Sequence, residues 1–464
     1  MKDLGITILA AGLGKRMNSS LPKVLHPLAG IPLLAHVLRA AESLDPQKIV
    51  VVVGRGADEV KRVCGNGKIT WVLQERQLGT GDAVRCAQSV WRDFAGDILI
   101  LSGDVPLISH RSLERLLLQH RKQKATITLV TASVPQPAGY GRILRDEKGA
   151  LAAVVEEPDA NEAEKKIKEV NAGIYAVSSS FLFTALAELT NHNRQKEYYL
   201  PDIVRIALGE GKRVETLEVE EPREVFGINT REELAAMEKA LQEKINRKWM
   251  EAGVTLKDPQ TTYIEEGVVI GRDTVVGPGT HLSGRTVIGE RCSIDGNAYV
   301  TDARLGNEVH IKFSVVLAGC DIKDGVVVGP FAHLRPGTVL ERNVAIGTFV
   351  EVKESRVGEG TKASHLAYIG DATVGRETNI GAGTITCNYD GFEKHRTLIG
   401  DRVQVGSNSE LVAPVAVGDD AYIGAGSTIT KDVPAGALAL SRAEQKHVEG
   451  WVERFRAKKG KSQK

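Results

Sequence analysis

The chain has 464 residues, 42% hydrophobic and 5% aromatic, with 60 Lys and Arg against 59 Asp and Glu. That length predicts two or three domains with well-buried cores. A formal charge of +1 excludes a general nucleic-acid binder, which needs a basic excess.

At the start of the chain, MKDLGITILAAG runs into a glycine-rich loop instead of a cleavage site, so a signal peptide is not expected. No apolar run reaches the ~18 residues of a membrane span. Residues Ile6–Ala10, Ile49–Val53, Ile98–Leu101 and Thr126–Val130 are β-branched or aliphatic runs that predict buried strands. Leu33–Leu44 and Ser112–Gln119 carry helical spacing between them. This alternation predicts a Rossmann-like α/β domain with a mostly parallel sheet, whose ligands bind beyond the carboxyl ends of the strands. Thr230 and Glu233 form a capping-box pattern. Leu234, Met237, Leu241, Ile245 and Trp249 then recur on one helical stripe as far as Gly253. We therefore expect a domain over 1–231, a linking helix over 232–252 and a second domain over 253–464.

Of the 48 glycines, 29 fall in residues 253–464. There the sequence repeats every six residues: Ile270-Gly271, Val276-Gly277, Leu282, Ile288-Gly289, Ile294 and Val300, and again from Val328-Gly329 and from Ile399-Gly400. Such a period predicts a left-handed parallel β-helix, three hexads to a triangular coil, with aliphatics stacked inside and glycines at positive-φ corners. The period breaks at an insertion around Asn388–His395. The tail beyond Glu453, with Arg454, Arg456, Lys458, Lys459, Lys461 and Lys464, is expected to be a solvated, frayed end. Five cysteines, Cys64, Cys86, Cys292, Cys320 and Cys387, lack CxxC spacing. They point to the reducing cytoplasm, and away from a disulfide framework or a structural zinc.

Two constellations carry chemistry. The first strand runs into Ala11-Gly12-Leu13-Gly14-Lys15-Arg16, a loop suited to phosphates, with Lys23 nearby. Ile98–Leu101 runs into Ser102-Gly103-Asp104, and a carboxylate at a strand end suits Mg²⁺.

LAAGLGKRM, LPKVL, LQERQLGTGDA and SGDVPL resemble the signatures of sugar-nucleotide pyrophosphorylases. GYGRI, VEEPDA, VNAGIY, EYYLPDI and GINTR narrow the resemblance to the bifunctional N-acetylglucosamine-1-phosphate uridyltransferase/glucosamine-1-phosphate N-acetyltransferase family, across essentially the whole chain. The resemblance implies that Leu9, Ala10, Ala11, Gly12, Gly14 and Arg16 meet UTP, together with Ser102 and Gly103. It implies that Lys23 neutralises phosphate charge and that Gln74, Gly79 and Thr80 read the uracil. Gly141, Glu156 and Asn171 would hold the acetamido sugar, and Asp104 and Asn229 would bind Mg²⁺. Ser102 stands where that family often has Tyr.

GPFAHLRPG, SHLAYIGDA and NIGAGTITCNYDG closely resemble the family's acetyltransferase domain. By that resemblance Arg335 and Lys353 bind the sugar phosphate, Tyr368 and Asn379 contact the sugar, and His365 is the general base. Ala382, Asn388, Tyr389, Ser407, Ala425 and Arg442 meet acetyl-CoA. The resemblance further implies a homotrimer whose adjacent subunits complete this site. Two other readings stand beside it. One is a pyrophosphorylase for another sugar, its β-helix serving assembly only. The other is a regulatory protein with a degenerate nucleotidyltransferase domain.

Overall fold

A computed structural model describes residues 3–460, in two compact units that divide between Leu241 and Gln242. In the first, strands β1 (Leu4–Ala10), β2 (Lys48–Val53), β3 (Ile69–Leu73), β4 (Asp97–Ser102), β5 (Ile127–Ser133), β6 (Arg142–Arg145), β7 (Leu151–Val155), β8 (Glu169–Ser178) and β9 (Val214–Glu218) form one sheet. Its order is β9-β5-β8-β4-β1-β2-β3, with β6 and β7 attached beside β8. The four expected strands are present within a few residues of their predicted ends.

Side chains in these strands alternate between two cores. Leu99, Leu101, Val51 and Val53 face one, and Ile98, Ile100, Val50 and Val52 face the other. Both faces are apolar, so both need helices. Helices α1 (Leu33–Glu42), α2 (Ala57–Cys64) and α4 (His110–Gln123) cover the first face. Helices α3 (Thr80–Cys86), α5 (Ser179–Glu188) and α6 (Asp202–Gly209) cover the second. Thr7 is a fully buried polar group on the second face, and its hydroxyl accepts from Trp91 Nε1 at 3.0 Å.

The sheet is more mixed than the alternation predicts. β8 runs antiparallel to both neighbours, β4 and β5, and β6 and β7 add an antiparallel hairpin. A register shift between Asn171 and Tyr175 interrupts the β5 pairing, with Gly173 at φ 70° inside it. Such a bulge re-aims side chains.

Helix α7 (Arg231–Glu251) begins with the expected capping box. Glu233 N donates to Thr230 Oγ1 at 3.1 Å, and Thr230 N donates to Glu233 Oε2 at 3.0 Å. Met237, Leu241, Ile245 and Trp249 are buried.

The second unit is a parallel β-helix of three sheets with 11, 10 and 9 strands. Most successive coils pair 17 or 18 residues apart, as in Tyr263↔His281↔Tyr299↔Val316, with 25 across the insertion, as in Asn379↔Gln404, and 16 at the last, Tyr422↔Leu438. Val276, Ile294, Ile311, Val328 and Ile346 are stacked inside, all within 1% of full burial. At its first coil, Gln242 of α7 donates through Nε2 to Ile264 O and accepts from Ile264 N, both at 2.8 Å. A side-chain amide thus pairs a strand edge that no strand covers.

The hexad glycines do a different job from the one expected. Those directly after an inner aliphatic pack coil on coil: a Cβ on Gly347 would stand 1.9 Å from Ser364 O, and one on Gly277 2.2 Å from Asp295 O. Gly329, at φ 100°, holds the expected conformation, but elsewhere positive φ falls two residues later, at Gly383 and also at Asn297, Asn343 and Asn408. Close approach of backbones, more than turn geometry, requires those glycines. The tail also departs from expectation. It is solvent-exposed but helical over Trp451–Gly460 (α8), with Trp451 and Phe455 stacked at 4.9 Å one turn apart. Lys461 and Lys464 lie outside the described residues. Among the described residues no helix is long and apolar enough to cross a membrane.

Candidate active sites

The carboxyl ends of β1 and β4 open on a cleft of about 540 Å³. Leu9, Ala10, Ala11, Gly12, Gly14, Arg16, Lys23, Gln74, Gly79, Thr80, Ser102, Asp104 and Asn229 all line it. Residues spread over 220 positions therefore meet at one sheet end, where a doubly wound sheet binds its ligands. The two loop glycines differ. Gly14 has φ 59°, and a Cβ there would stand 2.8 Å from Lys23 Cβ, so the fold itself requires it. Nothing lies within 4 Å of a Cβ on Gly12, which leaves its backbone open to the cleft.

Gly103 does not line the cleft. It is buried behind it, its N–H donating to Leu9 O at 2.8 Å, and so locks the ends of β1 and β4 together. Asp104 accepts a short ion pair from Lys23 Nζ, which also donates to Asn229 Oδ1 at 3.0 Å. Two oxygens 125 positions apart in the sequence therefore converge on one cation. Asn229 is held there by its backbone, which donates to Glu233 Oε2 at 2.6 Å, and Ile228 N donates to Asp104 O at 2.9 Å.

The segment containing Gly79 lies on the backbone of 197–200. Tyr198 N donates to Leu78 O and Gly81 N to Tyr198 O, both at 2.8 Å, and Leu200 N donates to Thr80 Oγ1 at 3.0 Å. Gly79 has φ 115°, and a Cβ there would meet Tyr198 O at 2.6 Å. Gln74, 3% exposed, donates through Nε2 to Asp82 Oδ2 at 2.8 Å and to Gly79 O at 3.2 Å. The sequence reading missed Gln77 and Glu197, which also line the cleft.

Gly141, Glu156 and Asn171 do not line that cleft but are brought to one another. Asn171 N donates to Gly141 O at 2.9 Å, and the Glu156 carboxyl lies 3.5 Å from where a Gly141 Cβ would stand. The β8 bulge turns Asn171 so that its Nδ2 donates to Tyr175 OH at 2.6 Å. Ser102 Oγ lies 3.3 Å from a Cβ position on Gly173 in the same bulge. Burial pushes Glu156 up to about 7, and the carboxylates of Asp202, Asp159 and Glu197 push the same way. Arg142, 1% exposed, anchors the neighbouring loops through Glu157 Oε2 at 2.5 Å and Lys165 O at 3.2 Å.

On the β-helix, register sorts the expected residues into columns. Thr348 pairs with His365, Ala363 with Ile380, Ile380 with Val405, and Val405 with Ile423. Two residues beyond each aliphatic, His365, Ala382, Ser407 and Ala425 therefore share one corner on four successive coils. Arg442 closes this column by donating to Ala425 O at 2.7 Å.

A second column carries Arg335, Lys353 and Gly370: Arg335 N donates to Val352 O at 2.9 Å, and Lys353 pairs with Gly370. A Cβ on Gly370 would collide with the Tyr368 ring at 2.6 Å from Cζ, so this glycine is what lets the ring lie across the column. Lys353 Nζ is 3.6 Å from Asp371 Oδ2, which also accepts a short hydrogen bond from Asn388 Nδ2. Asn388 Nδ2 lies 3.4 Å from Tyr368 OH.

Asn379 is not with this group. It stands on another sheet, between Lys362 and Gln404. Tyr389 is 61% exposed in the insertion, its OH donating to Gly391 O at 2.7 Å. There Asp390 accepts from the backbones of Phe392 and Glu393 and from His395, which hold its carboxyl well below the usual carboxylate range. Sequence reasoning missed Lys394. Lys353 beside it pushes its ammonium below the usual lysine range, and Arg335 pushes the same way, while Arg335 is itself paired with Glu351 at 2.9 Å. The break in the hexad period was the signal that could have found Lys394.

Residues 6–195 match the family model for the MobA-like NTP transferase domain, and residues 396–431 match that for the bacterial transferase hexapeptide (six repeats). Full-length relatives are similar throughout. The Bifunctional protein GlmU of Pelobacter propionicus is 49% identical over 459 residues, 99% of this chain and 100% of that one. Its namesakes from Geotalea uraniireducens and Caldanaerobacter subterraneus are each 48% identical, over 97% and 99% of this chain and 99% and 100% of theirs.

Proposed function

The chain belongs to the family of bifunctional GlmU proteins, and from that premise we propose how its residues divide the synthesis of UDP-N-acetylglucosamine. Glucosamine 1-phosphate is first acetylated from acetyl-CoA on the β-helix. The N-acetylglucosamine 1-phosphate formed then reacts with UTP in the cleft of the α/β unit. The observation that carries this reading is the corner column: an imidazole, His365, lies in line with Ala382, Ser407 and Ala425.

Small side chains on consecutive coils leave a strip along which the pantetheine arm of acetyl-CoA extends, with Arg442 at its far end to meet phosphates. The thioester then lies near His365. The amine of glucosamine 1-phosphate attacks the thioester carbonyl as His365 takes its proton, and coenzyme A leaves as the thiol. Arg335, Lys353 and Lys394 hold the sugar phosphate, and Tyr368, fixed across Gly370, meets the sugar ring. Asn388 and Tyr389 meet acetyl-CoA from the insertion, Asn388 doing so from its place beside Asp371 and Tyr368.

In the cleft, the backbone of Gly12 and the side chains of Arg16 and Lys23 cradle the triphosphate. Gln74, Gly79 and Thr80 face the uracil, and Gly141, Glu156 and Asn171 receive the acetamido sugar. A phosphate oxygen of N-acetylglucosamine 1-phosphate attacks the α-phosphorus of UTP, and the bond to pyrophosphate breaks in line. A phosphate monoester is already nucleophilic, so positioning and charge neutralisation suffice. The convergence of Asp104 and Asn229 on one ammonium fits them to hold Mg²⁺, and two protein oxygens are a usual share for an ion that also binds phosphates. Held there, Mg²⁺ would supply positive charge to the triphosphate, and Lys23 would be free to meet the phosphates.

We further propose a homotrimer. Phe313, Phe331, Phe349 and Leu366 form an exposed ridge along the corner next to His365, 45–63% exposed, with the Phe331 and Phe349 rings stacked at 5.5 Å. Phe331, Phe349 and Leu366 hold positive φ, which costs bulky residues of the order of 1–2 kcal/mol each. A packed interface repays that exposure and strain, and a neighbouring copy brings Asn379 and Tyr368 equivalents together. The five free thiols fit the cytoplasm.

The test is a coupled assay on the full chain with glucosamine 1-phosphate, acetyl-CoA, UTP and Mg²⁺. We expect free thiol to appear first and pyrophosphate to follow in equal amount, with none when acetyl-CoA is omitted. Pyrophosphate release without thiol defeats the reading in favour of a pyrophosphorylase alone.

A further inference from the structure

Gln74 lies in the cleft wall at 3% exposure, and its amide has a fixed sense. Its two hydrogens are matched to two acceptors, Asp82 Oδ2 at 2.8 Å and Gly79 O at 3.2 Å. Neither atom can donate, because an ionised carboxylate and a carbonyl offer lone pairs only. An amide turned the other way would set its oxygen against both. The Nε2 end therefore stays on Asp82 and Gly79, and Oε1 is left as the free end. Among the described residues no protein group donates to Oε1. Asp82 itself, in α3, is not part of the cleft lining.

We propose that Asp82 is a positioning residue that sets pyrimidine choice, by locking Gln74 so that only an acceptor faces the base. The proposal rests on the reading that Gln74 meets the uracil. Uracil offers an N–H at N3 and fits an acceptor. Cytosine offers a lone pair at N3, which would face Oε1 with no hydrogen between them. A site built to pair one ring edge rejects the other because a buried polar group is left unmatched. Gly79 O alone leaves one hydrogen of Nε2 without a partner. Once Asp82 is removed, the amide is free to turn and offer a donor to cytosine. An Asn at this position keeps an acceptor for Nε2.

The experiment compares kcat/KM for UTP and CTP, with N-acetylglucosamine 1-phosphate as co-substrate, in the full chain and in Asp82→Asn, Asp82→Leu and Asp82→Ser. Thermal melting of each variant, followed by circular dichroism, reports that the α/β unit is folded. We expect Asp82→Leu and Asp82→Ser to lower the UTP-to-CTP ratio about tenfold or more, chiefly through a higher KM for UTP, and Asp82→Asn to keep it. In a Gln74→Leu background the Asp82→Leu change should shift the ratio no further. An unchanged ratio in both Asp82→Leu and Asp82→Ser overturns the proposal, as does an equal shift with Gln74 already replaced. Failure of the parent chain to prefer UTP at all overturns instead the underlying reading of the cleft.

Discussion

On the function proposed above, the cleft and the corner column solve the same problem, holding a long phosphorylated ligand, by opposite means. In the α/β unit each contributor arrives on its own loop. Asp104 follows β4, Asn229 precedes α7, and Lys23 joins them from a third segment. On the β-helix, His365, Ala382, Ser407 and Ala425 occupy one position of a repeating coil. The cleft is specific because many different tertiary constraints meet there. The column is specific because a few substitutions interrupt a uniform scaffold. The first arrangement ties its site residues to local fold. The second lets chemistry vary at outward positions while the inner aliphatics carry stability.

If the two sites are this independent, single changes should divide them cleanly. Asp104→Ala should lower uridyl transfer about a hundredfold or more and leave acetyl transfer as it was. His365→Ala should lower acetyl transfer by about 10²–10⁴-fold and leave uridyl transfer intact. Separate assays of pyrophosphate and thiol read both, and equal loss of the two activities in either variant would erase the distinction.

Assembly should matter to one region alone. Phe349→Asp puts a charge in the middle of the exposed ridge. We expect sedimentation velocity to show dissociated chains with little acetyl transfer and nearly full uridyl transfer. A variant that stays trimeric and active would separate the ridge from assembly.

Smaller effects test how tightly the cleft is tied to its fold. Gly14→Ala meets both positive φ and the Lys23 side chain, and should destabilise the protein by about 1–3 kcal/mol in urea unfolding. Gly12→Ala meets nothing in the protein. Its stability should change by less than about 0.5 kcal/mol while KM for UTP rises several-fold. Equal destabilisation by both would mean that Gly12, too, is held by the fold.

Glu156 gives the smallest effect, visible as a pH dependence. Its pKa in the folded chain is about 7, above the ordinary 4.5, so the folded state holds a proton that the unfolded state has lost. Its contribution to stability is present in full below pH 4.5 and is lost as pH rises to about 7. Glu156→Gln should therefore melt a few degrees higher than the parent at pH 8 and show little difference at pH 4.5, by calorimetry. A gain independent of pH would assign the effect to packing.

The parallel strands were legible because aliphatic runs alternate with helical spacing, and the β-helix because its period is strict. The antiparallel β8 was not, since direction leaves no mark on a strand's composition. Motif resemblance located Asp104 and Asn229 but could not show that Lys23 joins them. Asp82 and Glu197 were hidden for a simpler reason: each matters through a partner that only folding supplies. Lys394 sat in the insertion that makes the longest break in the repeat. The hexad glycines were found but misexplained, because the sequence shows a residue's freedom but not the backbone stacked 2 Å from its missing Cβ.

A β-helix is a crystal in one dimension, and each end is a growth face ready to accept another layer. Gln242 acts there as a growth poison. Its amide supplies one donor and one acceptor in the places where a strand of another chain would bring its own. The pairing capacity of that edge at Ile264 is thereby filled from within the molecule, by a helix that cannot itself be extended. At Ile264 the first coil is thus closed by a residue of its own chain.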